Sequence, residues 1–206
     1  MDTERRIIEA ATALFRRYGI KSVTMDDIAN EISISKKTIY QFYKDKNAIV
    51  TRSTHYMLSE EEKVIEEIKD SSEDVMDELI QTIEHFKKFM RVINPVLLVD
   101  LERYYPEGWS EYQKFRESCF KSNLIKSINR GVMEGYFRDD FDVEVMAKLR
   151  MAEVELAFNQ KVFPHHKYDL YEIQLQFTEH FILGMSTRKG FDRIEAYKQS
   201  LKKVNS

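Results

Sequence analysis

The chain contains few of the residues that interrupt helices or cross-link a fold. Its 206 residues include 3 Pro, 6 Gly and 1 Cys. The single cysteine, Cys119, excludes an intrachain disulfide and a cysteine-rich zinc site, and such usage is typical of a reducing compartment. Scarce Pro and Gly, together with the lack of sustained alternation between apolar and polar residues, predict helix throughout. We therefore expect an all-α fold.

Long apolar runs are also missing. No uncharged stretch, residues 92–99 included, approaches the roughly 20 residues that a membrane-spanning helix needs. Glu4, Arg5 and Arg6 stand at the start of the chain, and only a broken apolar run follows them. That pattern is not the pattern of a signal peptide. These features predict a soluble, cytoplasmic protein.

Charge is distributed unevenly along the chain. The net charge is −3, yet residues 1–50 carry +2 and the remaining residues carry −5. The basic residues of the first part cluster around one stretch, namely Arg16, Arg17, Lys21, Lys36, Lys37, Lys44 and Lys46. Such a cluster can neutralise DNA phosphates. A solvated helix surface would have the same composition, so charge alone does not decide between the two interpretations.

Residues 24–46, TMDDIANEISISKKTIYQFYKDK, have the pattern of two short helices joined by a tight turn. Apolar residues at helical spacing mark one inner face on each helix. They are Met25, Ile28, Ala29 and Ile32, followed by Ile39 and Phe42. Helices this short are marginal alone, so they need a third helix, which residues 4–18 supply. The arrangement is a helix-turn-helix, which presents its second helix to the DNA major groove.

Polar residues at the predicted helix ends support this interpretation. Thr24 precedes the first motif helix, and Asp27 lies three residues later, close to a capping box. Ser33 falls at the turn, where Gly is common because the backbone is left-handed. Ser33 or Ser35 can cap the second helix, and Asp45 can cap the next one.

Residues 7–49 resemble the DNA-binding domain of the TetR family of bacterial transcription regulators. The matching residues are Ala11, Leu14, Phe15, Gly19, Thr24, Ile28, Ala29, Ser35, Thr38, Tyr40, Phe42 and Lys46. Two positions depart from the pattern, because Ser33 stands where Gly is common and Lys37 where a small residue is frequent. The resemblance implies a helix-turn-helix DNA-binding domain at residues 1–48 and a helical effector-binding and dimerisation domain at residues 49–206. It also implies double-stranded operator DNA, a second copy of the chain and a small-molecule effector as partners.

The side chains expected to contact DNA fall into two sets. Lys36, Lys37 and Thr38 are predicted to reach base edges or adjacent phosphates, since Lys donates to guanine O6 and N7 and the Thr methyl can touch the thymine methyl. A second set is predicted to fix the register by binding phosphates. It consists of Thr24, Ser35, Tyr40, Tyr43 and Lys46.

The rest of the chain has the helix signals of a bundle. Predicted starts are Asp45, the sequence SSED at residues 71–74, Asn94-Pro95, Ser110 with Gln113, Asp142 and Asp169, and predicted ends are Gly19, Pro106–Gly108 and Gly190. The helix from Asp45 is expected to reach about Lys69 and to link the DNA-binding part with the body. The helix from Ser110 is expected to reach about Met133, the helix from Asp142 about Val162, and a last short helix should cover residues 191–203.

Two surfaces of the body are proposed from their side chains. An effector pocket for an apolar or aromatic ligand is predicted at Phe86, Phe89, Met90, Tyr104, Trp109, Tyr112, Phe115 and Met133, near the Pro-Gly break. A dimer interface is predicted on the last two large helices at Leu149, Ala152, Leu156, Phe177, Phe181 and Met185. Both sets would equally suit an ordinary helix-bundle core.

No catalytic constellation is visible. None of the five histidines has Glu three residues before it, as a ferritin-like diiron site requires, and no His-Glu-x-x-His is present. His165-His166 could bind a metal, but an adjacent pair in a loop is usually exposed polar surface. We expect no enzyme activity, metal or cofactor. The alternatives are a helical small-molecule-binding or catalytic protein with a vestigial DNA-binding head, and a structural DNA-binding protein without a ligand.

Overall fold

The computed structural model describes residues 2–164 and 166–204 of the chain. In these residues eleven α-helices follow one another, and a π-helical turn, Arg116–Phe120, joins α7 to α8. The helices are α1 (Thr3–Tyr18), α2 (Met25–Glu31), α3 (Lys36–Phe42), α4 (Lys46–Ser71), α5 (Val75–Val92), α6 (Val96–Tyr104), α7 (Pro106–Phe115), α8 (Lys121–Met133), α9 (Val143–Ala157), α10 (Leu170–Met185) and α11 (Arg188–Val204). The predicted all-α fold is confirmed.

Contacts divide the chain into two compact units. The first unit comprises Met1–Val64 and Lys88–Cys119, and the second comprises Ile65–Lys87 and Phe120–Ser206. Helices α4 and α5 each run from one unit into the other. The first unit is larger than the expected DNA-binding domain because Leu97 and Leu101 of α6 join its core. A functional boundary at residues 48 and 49 stays a prediction.

The core of the first unit is built from one apolar side of each short helix. Ile7 and Ala11 of α1, Ile28 of α2 and Ile39 of α3 are completely buried, as is Val50 of α4. Ile28 and Ile39 lie on the faces that helical spacing marked as inner, so the three-helix prediction is confirmed. Phe42 was assigned to the same face of α3 and is 42% exposed, so that assignment is wrong, because Phe42 is the last residue of a short helix. Burial against α1 and α4 supplies the apolar contact that α2 and α3 are too short to make alone.

The segment after α6 differs in part from the prediction. Helix α6 ends at Tyr104, just before Pro106, as predicted. Pro106 also begins α7, because a proline without an N–H is tolerated in the first turn, so Ser110 lies inside α7 and does not cap its start. Gly108 is buried, and a Cβ built on it would lie 2.7 Å from Leu101 Cδ1, so this glycine allows α7 to approach α6 closely. A pocket mouth beside this junction stays a prediction.

The second unit has a core of its own. Val75, Met76, Ile128, Ala147 and Ile182 are among its buried members. Helices α9 and α10 begin as predicted, because the side chains of the N-cap residues at 142 and 169 accept bonds from backbone N–H groups one turn later. Helix α9 ends at Ala157, short of the expected Val162.

Arg130 connects two helices of this unit. Its guanidinium lies 3.1 Å from Glu78 Oε2 and 2.7 Å from Glu134 Oε1. Glu134 in turn accepts a bond from the backbone N–H of Val75, at 2.7 Å, which satisfies a donor at the start of α5. The ion pairs therefore hold α8 against the first turn of α5.

Gly190 does not end a helix. Helix α10 ends at Met185, and α11 already begins at Arg188, so Gly190 lies in the first turn of α11. A Cβ at Gly190 would stand 2.3 Å from the carbonyl oxygen of Tyr136. The glycine therefore permits a close backbone approach, and the predicted stop at this position is wrong.

No helix among the described residues has the length and hydropathy of a membrane span. Over the same residues, no group of three or more His, Cys, Asp or Glu side chains has the arrangement of a metal site. His165 of the considered metal pair lies outside the described residues, and His166 is exposed.

Candidate nucleic-acid interface

The first motif helix, α2, is fixed by a reciprocal cap. The backbone N–H of Thr24 donates to Asp27 Oδ2 at 2.7 Å, and the N–H of Asp27 donates to Thr24 Oγ1 at 3.2 Å. The Thr24 hydroxyl donates to the same carboxylate, and these bonds lower the pKa of Asp27. The capping box expected from the sequence is confirmed, with Asp in the place of the usual Glu.

The turn between the motif helices is left-handed, as predicted. Ser33 has φ +56°, and among the residues that the structure describes it is the only non-glycine residue with a positive φ. The N–H of Ile34 donates to the carbonyl of Ala29 at 3.0 Å and closes the turn. Ser35 then caps α3 by accepting a bond from the N–H of Thr38 at 3.0 Å. The strain at Ser33 is the consequence of placing a side chain where glycine is preferred.

Helix α3 presents a polar, basic edge over a buried anchor. Ile39 is completely buried, whereas Lys36, Lys37 and Tyr40 are exposed. Thr38 is half-buried, and its hydroxyl lies 2.8 Å from the hydroxyl of Ser35. The first turn of α3, which a helix-turn-helix places over base edges, therefore carries the two lysines on its outer side. Base reading by these side chains stays a prediction.

Lys36 has a partner that the sequence did not reveal. Its Nζ lies 2.7 Å from Oδ2 of Asp26, in the first turn of α2. The hydrogen bond and the charge of this carboxylate raise the pKa of Lys36. The sequence does not indicate this pair, because an acidic residue such as Asp26 is common in the first turn of any helix.

Tyr43 was predicted to bind phosphate, and the structure corrects this assignment. Its side chain is buried in the core of the first unit, and its hydroxyl donates to Glu4 Oε1 at 3.1 Å. Burial and the nearby carboxylate raise the pKa of Tyr43 to about 12. Tyr43 connects α1 with the end of α3 and does not face outward.

Lys46 is half-buried and already has acceptors. Its Nζ donates to the carbonyl of Ile20 at 2.6 Å and lies 3.4 Å from the carbonyl of Lys21. The ammonium also lies 5.8 Å from the centre of the Tyr105 ring. Burial lowers the pKa of Lys46. The geometry supports a structural role at the α1–α2 turn, and phosphate binding by Lys46 stays a prediction.

The predicted effector residues are divided between the two units. Phe86 and Met133 belong to the second unit, and the other six belong to the first. Trp109 and Tyr112 stack with ring centres 5.1 Å apart and pack against the core of the first unit. Met133 is 87% exposed at the end of α8, so its assignment to a pocket is wrong.

The remaining predicted pocket residues differ in exposure. Phe89 lies under the Arg16 guanidinium, 5.4 Å from the ring centre. Tyr104 is exposed, with the Lys21 ammonium 4.9 Å from its ring centre. Phe86, Met90 and Phe115 are half-buried. A pocket lined by the half-buried residues stays a prediction.

Five of the six predicted dimer residues are either exposed or buried, and the sixth, Phe177, is half-buried with its ring centre 5.6 Å from that of Phe163. Leu149, Ala152 and Leu156 are exposed on α9, as the interface prediction requires. Phe181 and Met185 of α10 are buried in the core of the second unit, so their assignment to an interface is wrong. The physical reason is the apolar composition of α10 on several sides, which does not indicate from the sequence which side faces inward.

The α2–α3 motif is similar to a known protein family. The family model described as bacterial regulatory proteins, tetR family, matches residues 7–52, which contain the whole motif. The resemblance of residues 7–49 to the TetR DNA-binding domain is confirmed. The chain is a DNA-binding transcription regulator.

Relatives of this chain are named as transcription regulators. The transcriptional regulator YvaF of Bacillus subtilis (strain 168) is 26% identical over 138 residues, which cover 61% of this chain and 72% of YvaF. The transcriptional repressor KstR2 of Mycobacterium tuberculosis is 23% identical over 147 residues, which cover 68% of this chain and 72% of KstR2.

Solved structures share the fold of the chain. The transcriptional regulator FadR from Bacillus subtilis, in complex with stearoyl-CoA, superposes with a TM-score of 0.67 and 18% identity, over 88% of this chain and 98% of that one. A transcriptional regulator from Saccharomonospora viridis, in complex with choline, gives a TM-score of 0.70 and 19% identity, over 90% and 98% of the two chains. At these identities the likeness concerns the fold alone.

Proposed function

We propose that this regulator is a homodimeric repressor of the TetR family that binds a palindromic operator and is released by a small-molecule effector. The exposed first turn of α3 carries the proposal. Lys36 and Lys37 extend from a capped helix start, and the buried Ile39 holds that helix against the core. Two ammonium groups on a fixed helix end suit guanine edges and phosphates of the major groove. Since operators are chromosomal, the proposed location is the cytoplasm.

Phosphate contacts are proposed at the edge of the same motif. Thr24, Ser35 and Tyr40 are exposed, and two of them occupy helix N-cap positions. The backbone N–H groups at a helix start attract anions, so phosphates that approach α2 and α3 there find donors. These contacts would fix the register of α3 without reading the sequence.

A second copy of the chain is proposed to cover one side of α9. Val145, Leu149 and Leu156 are 54%, 46% and 39% exposed, and Ala152 is exposed between them. The four residues follow helical spacing, so they form a continuous apolar stripe. Burying that stripe against its two-fold copy is favourable, and a dimer supplies the two recognition helices that a palindrome requires.

The effector response is proposed from relatives and from the half-buried aromatic residues. KstR2 is named a repressor, and the neighbouring structures hold stearoyl-CoA in one case and choline in the other. Because those ligands differ chemically, they do not identify the effector of this chain. Helix α4 belongs to both units, so a ligand that favours one placement of α4 changes DNA affinity by its own difference in binding free energy.

Selection of bound fragments from a random DNA pool tests the proposed function. We expect enrichment of a palindrome whose half-site centres lie about one helical turn apart, roughly 34–36 Å. The matched control is the double substitution Lys36→Ala, Lys37→Ala, which should lose the enrichment while the chain keeps its helix content. Equal enrichment by the control, or recovery of no preferred sequence by the wild type, would contradict the proposal.

An effector screen follows from the selected duplex. Stearoyl-CoA and choline are the first probes, and each is added to the protein–duplex complex while fluorescence anisotropy is recorded. An effector should raise the melting temperature of the free protein and lower its affinity for the duplex. A probe that stabilises the protein but leaves duplex affinity unchanged is not an effector. If no probe of a broad apolar and aromatic library releases the duplex, the ligand-responsive part of the proposal fails.

A further inference from the structure

An ion pair bridges the two motif helices on their outer surface. Lys36 Nζ lies 2.7 Å from Asp26 Oδ2, and the side chains are 45% and 61% exposed. Lys36 is the first residue of α3, and Asp26 lies in the first turn of α2. The carboxylate therefore stands on the same surface as the lysine that is proposed to contact DNA.

The pair is not required by the local fold. Asp27, the next residue, forms the capping box with Thr24, so the cap of α2 does not use Asp26. Ser35 caps α3 by itself. An exposed ion pair between flexible side chains also adds little to stability. Asp26 therefore affects the binding of Lys36 to other groups more than it affects the stability of the fold.

We propose that Asp26 competes with the operator for Lys36 and so limits operator affinity, an inference that rests on the proposed function. In the free protein the Asp26 carboxylate pairs with the Lys36 ammonium. Lys36 leaves this partner for the O6 and N7 acceptors of a guanine in the operator, which accept two bonds at a defined position. Each operator complex therefore breaks the ion pair, and the cost of breaking it lowers operator affinity. On unrelated DNA no such acceptor is in place, so Lys36 keeps its partner and this cost does not arise.

The expected effect is moderate because both groups are exposed. Removal of the carboxylate abolishes the cost of breaking the pair, so operator affinity should rise about threefold, the scale of an exposed ion pair. Affinity for unrelated duplex should rise less, because there the wild-type protein keeps the pair. The ratio of the two affinities should therefore rise.

The test uses the full-length protein, the selected operator duplex and a scrambled duplex of equal length. Fluorescence anisotropy at several salt concentrations gives both affinities for the wild type, Asp26→Asn and Glu31→Gln. Glu31 is the matched control, because it is an exposed acidic residue at the other end of α2 and its substitution changes the net charge equally. Lys36→Ala and the double substitution Asp26→Asn, Lys36→Ala complete a cycle.

We expect Asp26→Asn to raise operator affinity about threefold and affinity for the scrambled duplex less, so that the specificity ratio rises. Glu31→Gln should change both affinities by one factor, and Asp26→Asn should lose its extra effect when Lys36 is Ala. An unchanged ratio in Asp26→Asn would overturn the inference, as would an equal effect in the Lys36→Ala background. Failure of the proposed function has a different signature. In that case the wild type selects no operator, and the ratio is 1 before any substitution is made.

Discussion

Oδ2 of Asp100 accepts a hydrogen bond from the backbone N–H of Lys21 at 2.9 Å, so a buried carboxylate of α6 fixes the turn between α1 and α2. The same turn receives two further contacts from outside the motif. The N–H of Asn94 donates to the carbonyl of Arg16 at 2.6 Å, and the Lys46 ammonium donates to that of Ile20. The end of α1 is therefore held by groups on α4 and by the segment that leads into α6.

Substitution of Asp100 should destabilise the first unit. Asp100→Ala removes the carboxylate that accepts the part-buried hydrogen bond from the N–H of Lys21, and the loss of a hydrogen bond to a charged group costs about 1.5–3 kcal/mol in the free energy of unfolding. Asp100→Asn keeps a carbonyl oxygen at the same position and should lose less. Urea unfolding of both variants measures the difference. Equal losses in the two variants would show that the hydrogen bond is not the source of the effect.

The left-handed turn offers a second stability test. Ser33 has φ +56°, a conformation that costs a side-chain-bearing residue about 1–2 kcal/mol and glycine almost nothing. Ser33→Gly should therefore unfold at the same or a higher denaturant concentration, although glycine loses more backbone entropy on folding. Ser33→Val should unfold earlier, because a branched side chain tolerates this conformation poorly. Stability that falls in Ser33→Gly as much as in Ser33→Val would contradict the assigned backbone geometry.

Tyr43 should make stability depend on alkaline pH. Its pKa is raised to about 12 in the folded protein, whereas an unfolded tyrosine ionises near pH 10. The stabilisation is complete below pH 10 and decreases as the pH rises towards 12, because the unfolded state then releases the proton more readily. The loss should reach about 3 kcal/mol at most, because each pKa unit corresponds to about 1.4 kcal/mol.

Tyr43→Phe is the control for this pH dependence. Between pH 10 and 12 its free energy of unfolding should decrease less steeply than that of the wild type, since lysines and other tyrosines titrate in both proteins. Ultraviolet absorbance of tyrosinate should show one fewer late-titrating group in the variant. Parallel pH profiles of the two proteins would contradict the burial of the Tyr43 hydroxyl against Glu4.

The proposed dimer predicts different results for two exposed apolar positions. Leu149→Glu places a charge in the middle of the α9 stripe and should yield monomers with unchanged helix content. Val162→Glu changes an equally exposed residue that follows α9, and it should leave the dimer intact. Sedimentation velocity at micromolar concentration separates the cases. Dimers in both variants would reject the α9 stripe as the interface.

Helix ends were predictable from the sequence where the cap is local. Thr24, Ser35, Asp45 and Asp142 each accept a bond from an N–H group three residues later, so the signal lies within a single turn. Glycine was ambiguous because it serves two purposes. Gly19 ends α1 with φ +79°, as predicted, whereas Gly108 lies within α7 and permits close packing on Leu101.

Contacts between distant residues were not predictable. Asp26 and Lys36 are ten residues apart, and Lys21 and Asp100 are separated by 79. Each pair depends on how helices pack, which spacing within one helix does not specify. The burial of Phe181 was not predictable either, because an apolar stripe on α10 suits a core and an interface equally well.

The salt dependence of operator binding, compared between Lys37→Met and Lys46→Met, tests most directly whether the exposed edge of α3 binds DNA. Lys37 is exposed on α3, whereas the Lys46 ammonium is bound to backbone carbonyls. We expect Lys37→Met to lower the slope of log affinity against log salt by about 0.9, with unchanged melting temperature. Lys46→Met should lower the melting temperature and keep the slope. A slope that Lys37→Met leaves unchanged would contradict the assignment of the α3 edge as the surface that binds DNA.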